Sequence, residues 1–268
     1  MIRDITIGQY YPSGSKLHML DPRVKIVCTL LYLISLFLFD NIWGYLVATV
    51  FLVFVIRISK VPFKFIVRGL RPVIMLLMIT VLFNLFLTRT GNILVTFWVF
   101  QITDYGLKTA LLMAIRLIYL ILGSSLMTFT TTPNALTDGI ESLLGPFQKI
   151  KLPVHEIAMM MSIALRFIPI LLEETDKIMK AQIARGADLE SGNIIQKAKA
   201  MIPILVPLFV SAFRRANDLA MAMEARCYRG GDGRTKMKPL VYHKRDYVAY
   251  VITILYVVIA VLIGKFVM

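Results

Sequence analysis

The sequence predicts an all-α polytopic membrane protein, and the composition, the apolar runs and the charge distribution each favour that class. Hydrophobic residues make up 58% of the 268 residues and charged residues 17%, whereas soluble domains contain about 45–50% apolar and about 25% charged residues. Lys and Arg number 30 against 16 Asp and Glu. Cytoplasmic loops of membrane proteins collect basic residues, so this excess indicates a lipid bilayer as partner and requires no nucleic acid.

Five apolar stretches predict about five transmembrane helices. They are Ile26–Phe39, Ile42–Ile56, Val73–Thr88, Leu107–Thr132 and Tyr247–Gly264. Several are shorter than the roughly 20 residues needed to cross a hydrocarbon core of about 30 Å, so flanking Lys and Arg side chains must reach the interface or the bilayer must thin. A further apolar run, Ile93–Phe100, has β-like composition and is expected at the outer interface.

The basic residues also predict how the chain is oriented. Four precede the first span, and five follow the second span between Arg57 and Arg71, while Asp40-Asn41 between these spans has no positive charge. Basic connections stay in the cytoplasm. The chain is therefore predicted to lie in the cell membrane with its N-terminus in the cytoplasm and, after five crossings, its C-terminus outside.

The predicted organisation has three regions. Residues 1–132 form an N-terminal transmembrane region with four spans, residues 133–245 form a cytoplasmic module, and residues 246–268 form a C-terminal transmembrane helix. Between Pro133 and Asp246 the chain has 17 basic and 12 acidic residues, which suggests a stretch too charged to span. Its apolar residues recur at helical spacing, from Ile157 to Leu172 for example, which is typical of amphipathic helices.

A short pattern occurs twice in this module, as Ala181-Gln-Ile-Ala184-Arg185-Gly186 and 41 residues later as Ala222-Met-Glu-Ala225-Arg226-Cys227. Taken singly, each pattern is typical of an ordinary helix C-terminus. A cation is favourable beside the partial negative charge there, and a residue such as glycine often follows in left-handed conformation. The duplication favours docking, since small residues let a helix tip enter a groove where a guanidinium binds carboxylates or carbonyls. The candidate docking residues are Ala184, Arg185, Gly186, Ala225, Arg226 and Cys227.

The same 41-residue register extends back along both helices. Glu173 and Glu174 align with Arg214 and Arg215. Two similar helices that cross near equivalent points would bring acid to base, so these four residues are predicted to help set the crossing.

No catalytic or metal site is predicted, and no cofactor. The three histidines, His18, His155 and His243, lack metal-ligand spacing, and no phosphate-binding loop with its lysine is present. Cys28 and Cys227 fit neither a disulfide framework nor a metal site. Arg116 is the one ionisable residue well inside a span. It could mark an ion path, but a structural, snorkelling or hydrogen-bonded arginine is favoured because a proton relay usually has Asp, Glu or His partners.

Three further motifs accompany the two Ala-Arg motifs: Ser15-Lys-Leu-His18-Met-Leu-Asp21-Pro22-Arg23, Thr130-Thr131-Thr132-Pro133 and Leu165-Arg166-Phe-Ile-Pro169. Together the five motifs resemble one family, the transmembrane T component of energy-coupling factor (ECF) transporters, which import vitamins and metals in prokaryotes. The resemblance covers nearly the whole chain.

This resemblance implies a non-catalytic coupling subunit. In the family, two Ala-Arg-Gly motifs end cytoplasmic coupling helices that insert into grooves on two ABC-type ATPase subunits, and the membrane part holds a substrate-binding S component. Arg185 and Arg226 would be the motif arginines, and Cys227 replaces the usual glycine. Two alternatives are a self-contained secondary transporter, which should show midplane acids or broken, symmetry-related helices, and an intramembrane enzyme, which should show clustered His, Asp, Glu or Cys.

Overall fold

The chain is mainly helical, as the sequence predicts. The computed structural model describes residues 10–87, 93–97, 100–187, 193–231 and 237–266. Short 3-10 helices occupy Arg71–Val73 and Gly145–Ile150. The α-helices of the described residues are α1 (Pro22–Ser35), α2 (Ile42–Ser59), α3 (Phe63–Arg68), α4 (Ile74–Leu87), α5 (Asp104–Thr130), α6 (Pro133–Leu144), α7 (Val154–Ala184), α8 (Ile194–Ala225) and α9 (Lys244–Phe266).

One small β-hairpin interrupts the helices. Strand β1 (Ile93–Phe97) pairs antiparallel with β2 (Phe100–Thr103), and Phe97 lies opposite Phe100. The hairpin falls on the apolar run for which the sequence predicts β-like structure, and it connects α4 to α5.

The contacts divide the chain into two compact units. One unit is Leu143–Pro239, which contains α7 and α8; the other contains the described residues up to Ser142 and those from Leu240 onward. The predicted boundaries lie at residues 133 and 246, whereas most of α6 belongs to the second of these units. Gly139 of α6 is buried there, and a side chain at this position would come within 3.0 Å of Pro22 and Ile26.

Five described helices are long and apolar enough to cross a membrane, judged by length and composition: α2, α5, α7, α8 and α9. Three of these, α2, α5 and α9, coincide with predicted spans. The predicted spans at α1 and α4 are helices of only 14 residues each, about 21 Å long at 1.5 Å per residue. They are shorter than the hydrocarbon core, which extends about 30 Å.

Residues 133–245 are predicted to be too charged to span, but by composition this does not hold for α7 and α8 taken separately. Each contains an 18-residue window with at most two charged residues. Within 157–172 of α7 the only charged residue is Arg166, and 201–213 of α8 has none. The charges lie toward the helix ends and loops, so a count over the whole stretch conceals these apolar windows.

The core of the larger unit lies among α1, α2, α5 and α9. Phe51 of α2 stacks on Tyr256 of α9 with ring centroids 4.2 Å apart. Gly123 of α5 permits close packing with α1, because a β-carbon there would lie 2.5 Å from a ring carbon of Tyr32. Buried members of this core include Tyr32, Leu36, Tyr45, Ala48, Leu122, Leu126 and Ala260.

Acidic residues join the starts of α1 and α9. Asp21 caps α1 by accepting from the Arg23 amide at 2.9 Å, and it forms a 2.8 Å ion pair with the Arg23 guanidinium. The fully buried Asp246 accepts from the amides of Asp21 at 3.0 Å and His243 at 2.7 Å. Burial raises the pKa of Asp21, but its hydrogen bonds and charge attraction with Arg23 outweigh burial and lower the pKa below its usual value.

Candidate functional site

Helix α7 ends in a Schellman motif with Arg185 at the C-cap. The amide of Gly186 donates to the carbonyl of Ile183 at 2.9 Å. The amide of Ala187 donates to the carbonyl of Gln182 at 3.0 Å. Gly186 has a φ of +88°, a left-handed conformation that glycine adopts without steric penalty. Two cross-turn hydrogen bonds therefore fix the position of this helix end.

Helix α8 ends in the same way, with Arg226 at the C-cap. The amide of Cys227 donates to the carbonyl of Glu224 at 2.9 Å. The amide of Tyr228 donates to the carbonyl of Met223 at 3.0 Å. Both bonds lie 41 residues after their counterparts in α7, so the repeated sequence corresponds to a repeated backbone structure.

The two ends differ at the left-handed position. Cys227 has a φ of +55° where the first motif has Gly186. A residue with a β-carbon pays about 1–2 kcal/mol for this conformation, so the end of α8 is more strained than that of α7. All six candidate docking residues are exposed: Ala184, Arg185, Gly186, Ala225, Arg226 and Cys227.

Helices α7 and α8 cross at one of the two predicted charge pairs. The Arg215 guanidinium donates to the Glu174 carboxylate at 3.0 Å. In the described part of the chain no ion pair joins Glu173 to Arg214, and both of these side chains are exposed. Adjacent residues on a helix face different directions, so only one residue of each pair can point to the partner helix.

The crossing divides the two helices at equivalent points. Glu174 and Arg215 each lie eleven residues before the arginine of their own motif, which is about 16 Å along a helix. In a second contact, the side-chain amide of Gln182 donates to the backbone carbonyl of Pro203 at 3.4 Å. The two contacts together show that the helices run antiparallel here. The two motif ends therefore extend in opposite directions from the crossing by equal lengths.

The structure also assigns a partner to Arg116 of α5. Its guanidinium donates to the Asp40 carboxylate, which lies between α1 and α2, and to the Tyr45 hydroxyl at 2.8 Å. Arg116 is therefore hydrogen-bonded, in agreement with one of the predicted alternatives, and it is paired with an acid that lies outside its own span. Asp40 precedes Arg116 by 76 residues, and no sequence spacing indicates such a pair.

The long apolar helices indicate a multi-pass membrane protein. Among the described residues no group of His, Cys, Asp or Glu could hold a metal ion. Comparison with known proteins gives the class. The family model of the cobalt transport protein CbiQ matches residues 13–237.

Relatives match the chain over nearly its whole length. The energy-coupling factor transporter transmembrane protein EcfT of Clostridium kluyveri is 57% identical over 98% of this chain and 97% of its own length. The EcfT proteins of Ruminiclostridium cellulolyticum and Bacillus subtilis are 53% and 48% identical; the alignments cover 96% and 92% of this chain and 96% and 93% of those proteins. The chain therefore belongs to the family of transmembrane T components of ECF transporters.

Proposed function

We propose that this chain couples ATP hydrolysis by two cytoplasmic ABC-type ATPase subunits to solute uptake through a membrane-embedded S component. The chain itself is not catalytic in this scheme, because ATP hydrolysis belongs to the partner subunits. The solute is a vitamin or related micronutrient, and its recognition belongs to the S component. The observation that carries the proposal is the pair of matching helix ends, each with an exposed arginine at its C-cap.

The two ends suit docking into two similar grooves. Ala184 and Ala225 precede the arginines and add little bulk, so the backbone of each tip can approach a partner closely. An arginine can donate to carboxylates or carbonyls in fixed planar geometry. Since the two Schellman motifs have the same hydrogen bonds, both tips can occupy grooves of the same shape, as two ATPase subunits of one fold would provide.

The antiparallel crossing supports a mechanical role. A helix is a stiff rod, and both arms extend about 16 Å from the Glu174–Arg215 pair. Closure of the two ATPases would move both grooves, and the docked tips would follow. The angle between α7 and α8 would then change, which transmits the movement to whatever packs on their apolar faces.

The apolar face of α8 is the proposed contact surface for the S component. Its exposed residues recur at three- and four-residue intervals, which places them on one side of the helix. Phe209 and Phe213 contact each other there with ring centroids 4.7 Å apart. A large exposed apolar face indicates a partner or lipid. This face comprises Ile202, Leu205, Val206, Phe209, Val210 and Phe213.

The proposed topology places the N-terminus in the cytoplasm and the C-terminus outside, with crossings at α1, α2, α4, α5 and α9 and with α7 and α8 on the cytoplasmic side. Single cysteines introduced at Lys64 and Met268 in a background without Cys28 and Cys227 test this arrangement. An impermeant thiol reagent added to intact cells should label position 268 and leave position 64 unlabelled. Labelling of position 64 from outside contradicts the topology.

Docking is tested with the double variant Arg185→Glu and Arg226→Glu. It should insert normally but lose ATPase co-purification and ATP-driven uptake, because each groove would then meet an anion in place of a cation. Lys177→Glu is the matched control, since it reverses an exposed charge of α7 away from the tip. Normal uptake by the double variant would refute the docking role.

A further inference from the structure

A cavity of about 610 Å³ lies among α1, α2, α5 and α9, within the larger unit. Each helix contributes a stretch of similar length to its wall: residues 24–32, 51–58, 123–130 and 245–253. Eight residues of helix correspond to about 12 Å, so the lining extends about that far along the helices. Part of the lining is exposed, so a ligand can enter the cavity from outside.

The wall of this interhelical cavity is mostly apolar. Leu52 and Leu126 face it from the hydrophobic core, and Met127 lines it from α5. An apolar wall favours hydrocarbon and disfavours ionic or strongly hydrated ligands. The interior therefore fits an acyl chain.

Three cations line the end of the cavity where α1 and α9 begin: Lys16, Lys25 and Arg245. Lys25 is only 7% exposed, and its ammonium donates to the carbonyls of His18 at 3.1 Å and Thr130 at 2.8 Å. An ammonium has three N–H donors, so two of them are assigned by these bonds. A buried cation with a remaining donor favours an anionic ligand at this end.

The two acidic residues nearby already have partners within the protein. Asp21 is paired with Arg23 at 2.8 Å. Asp246 accepts hydrogen bonds from two backbone amides. Neither acid lines the cavity, whereas three cations do. Positive charge therefore prevails at this end, and Lys16 and Arg245 are exposed.

Apolar, exposed residues form part of the cavity wall. Met19, Phe54 and Val248 are 56%, 47% and 55% exposed, and all three line the cavity. The accessible part of the wall beside these residues is therefore an apolar gap, which hydrocarbon can enter from the bilayer more readily than a soluble anion can enter from water.

We propose that this cavity binds an anionic phospholipid, with one acyl chain between the four helices and the phosphate beside Lys16, Lys25 and Arg245. Basic pockets between transmembrane helices bind anionic headgroups, and the surrounding bilayer supplies the ligand. The site goes beyond the coupling function and does not depend on it. It would fill the space between α1 and α9 and hold the two helix starts together.

Native mass spectrometry of the purified full-length chain tests the site with equimolar phosphatidylglycerol and phosphatidylcholine of identical acyl chains. Wild type should retain the anionic lipid in roughly tenfold preference. Lys16→Gln with Arg245→Gln should reduce this preference to about one, while Lys244→Gln, an exposed cation that does not line the cavity, should leave it unchanged.

A second arm tests the acyl-chain position. Val248→Trp should block the apolar gap and lower retention of both lipids, whereas Val251→Trp, at a 64% exposed position of α9 outside the cavity wall, should have no effect. Equal retention of the two lipids by wild type, or full retention by Val248→Trp, would overturn the proposal. Displacement of the lipid by glycerol phosphate would overturn it too, because binding would then depend on the headgroup alone.

Discussion

The ends of α7 and α8 have the same hydrogen-bonded backbone, but one has glycine and the other cysteine at the left-handed position. Gly186 has a φ of +88° and Cys227 a φ of +55°. The Schellman geometry is thus kept even where the residue is unfavourable. Because the penalty is about 1–2 kcal/mol, retention of this geometry in α8 indicates that the shape of the tip matters more than the stability of the helix end.

The largest expected effect is the loss of ATPase binding when each motif arginine is replaced singly by glutamate. If the tips are equivalent, Arg185→Glu and Arg226→Glu should each weaken ATPase binding by about the same amount, roughly 2–5 kcal/mol for a charged group paired in an interface. Binding of purified ATPase subunits to each single variant in nanodiscs measures this. A large loss of ATPase binding for one arginine and no loss for the other would show that the two helix ends are not equivalent.

A smaller effect is expected from lysine at the same positions. Arg185→Lys and Arg226→Lys keep the charge but lose the planar set of donors, so each should restore only part of the binding that glutamate removes. The remaining loss should be roughly 1.5–3 kcal/mol, typical of hydrogen bonds to a charged group. If lysine binds ATPase as tightly as arginine at both tips, charge alone is sufficient and the fork geometry has no role.

Substitutions at the two positions with left-handed backbone conformation, Gly186 and Cys227, test the difference in strain between the two helix ends. Cys227→Gly should slow hydrogen exchange at the Tyr228 amide about fivefold, which corresponds to about 1 kcal/mol of relieved strain. Gly186→Cys should speed exchange at Ala187 by a similar factor. Cys227→Ala is the control, since it removes the thiol but keeps the β-carbon; slow exchange in that variant would attribute the effect to the sulfur and contradict the strain argument.

The sequence predicts much of this arrangement because the information is local or periodic. The 41-residue repeat predicts two similar helix ends, and shared register aligns Glu174 with Arg215, which are 3.0 Å apart in the structure. Apolar runs predict α2, α5 and α9 within a few residues. Each of these inferences depends on short spacings that the helical period fixes.

Other features depend on contacts between distant segments. Asp40 meets Arg116 and Asp21 meets Asp246 only after the helices pack, and no local pattern pairs them. The apolar windows of α7 and α8 were missed for another reason, because an average of charge over the whole of residues 133–245 conceals them. The cations around the interhelical cavity likewise come from distant parts of the sequence, since Lys16 precedes α1, Lys25 belongs to α1 and Arg245 belongs to α9.

The smallest predicted effect concerns the charges at the crossing. Glu174 and Arg215 are partly exposed, so their pair should contribute only about 0–1 kcal/mol, enough to bias an angle between two rods but not to hold them together. Glu174→Arg should impair ATP-driven uptake, and the added Arg215→Glu should restore part of it. The same exchange at Glu173 and Arg214 is the control and should show no coupling, because those side chains are exposed and unpaired with each other. A double-mutant cycle measures the coupling energy of each pair. Equal coupling for both pairs, or no coupling between Glu174 and Arg215, would show that the Glu174–Arg215 contact does not set the crossing of α7 and α8. The equal distances from the crossing to the two helix ends would then have another cause.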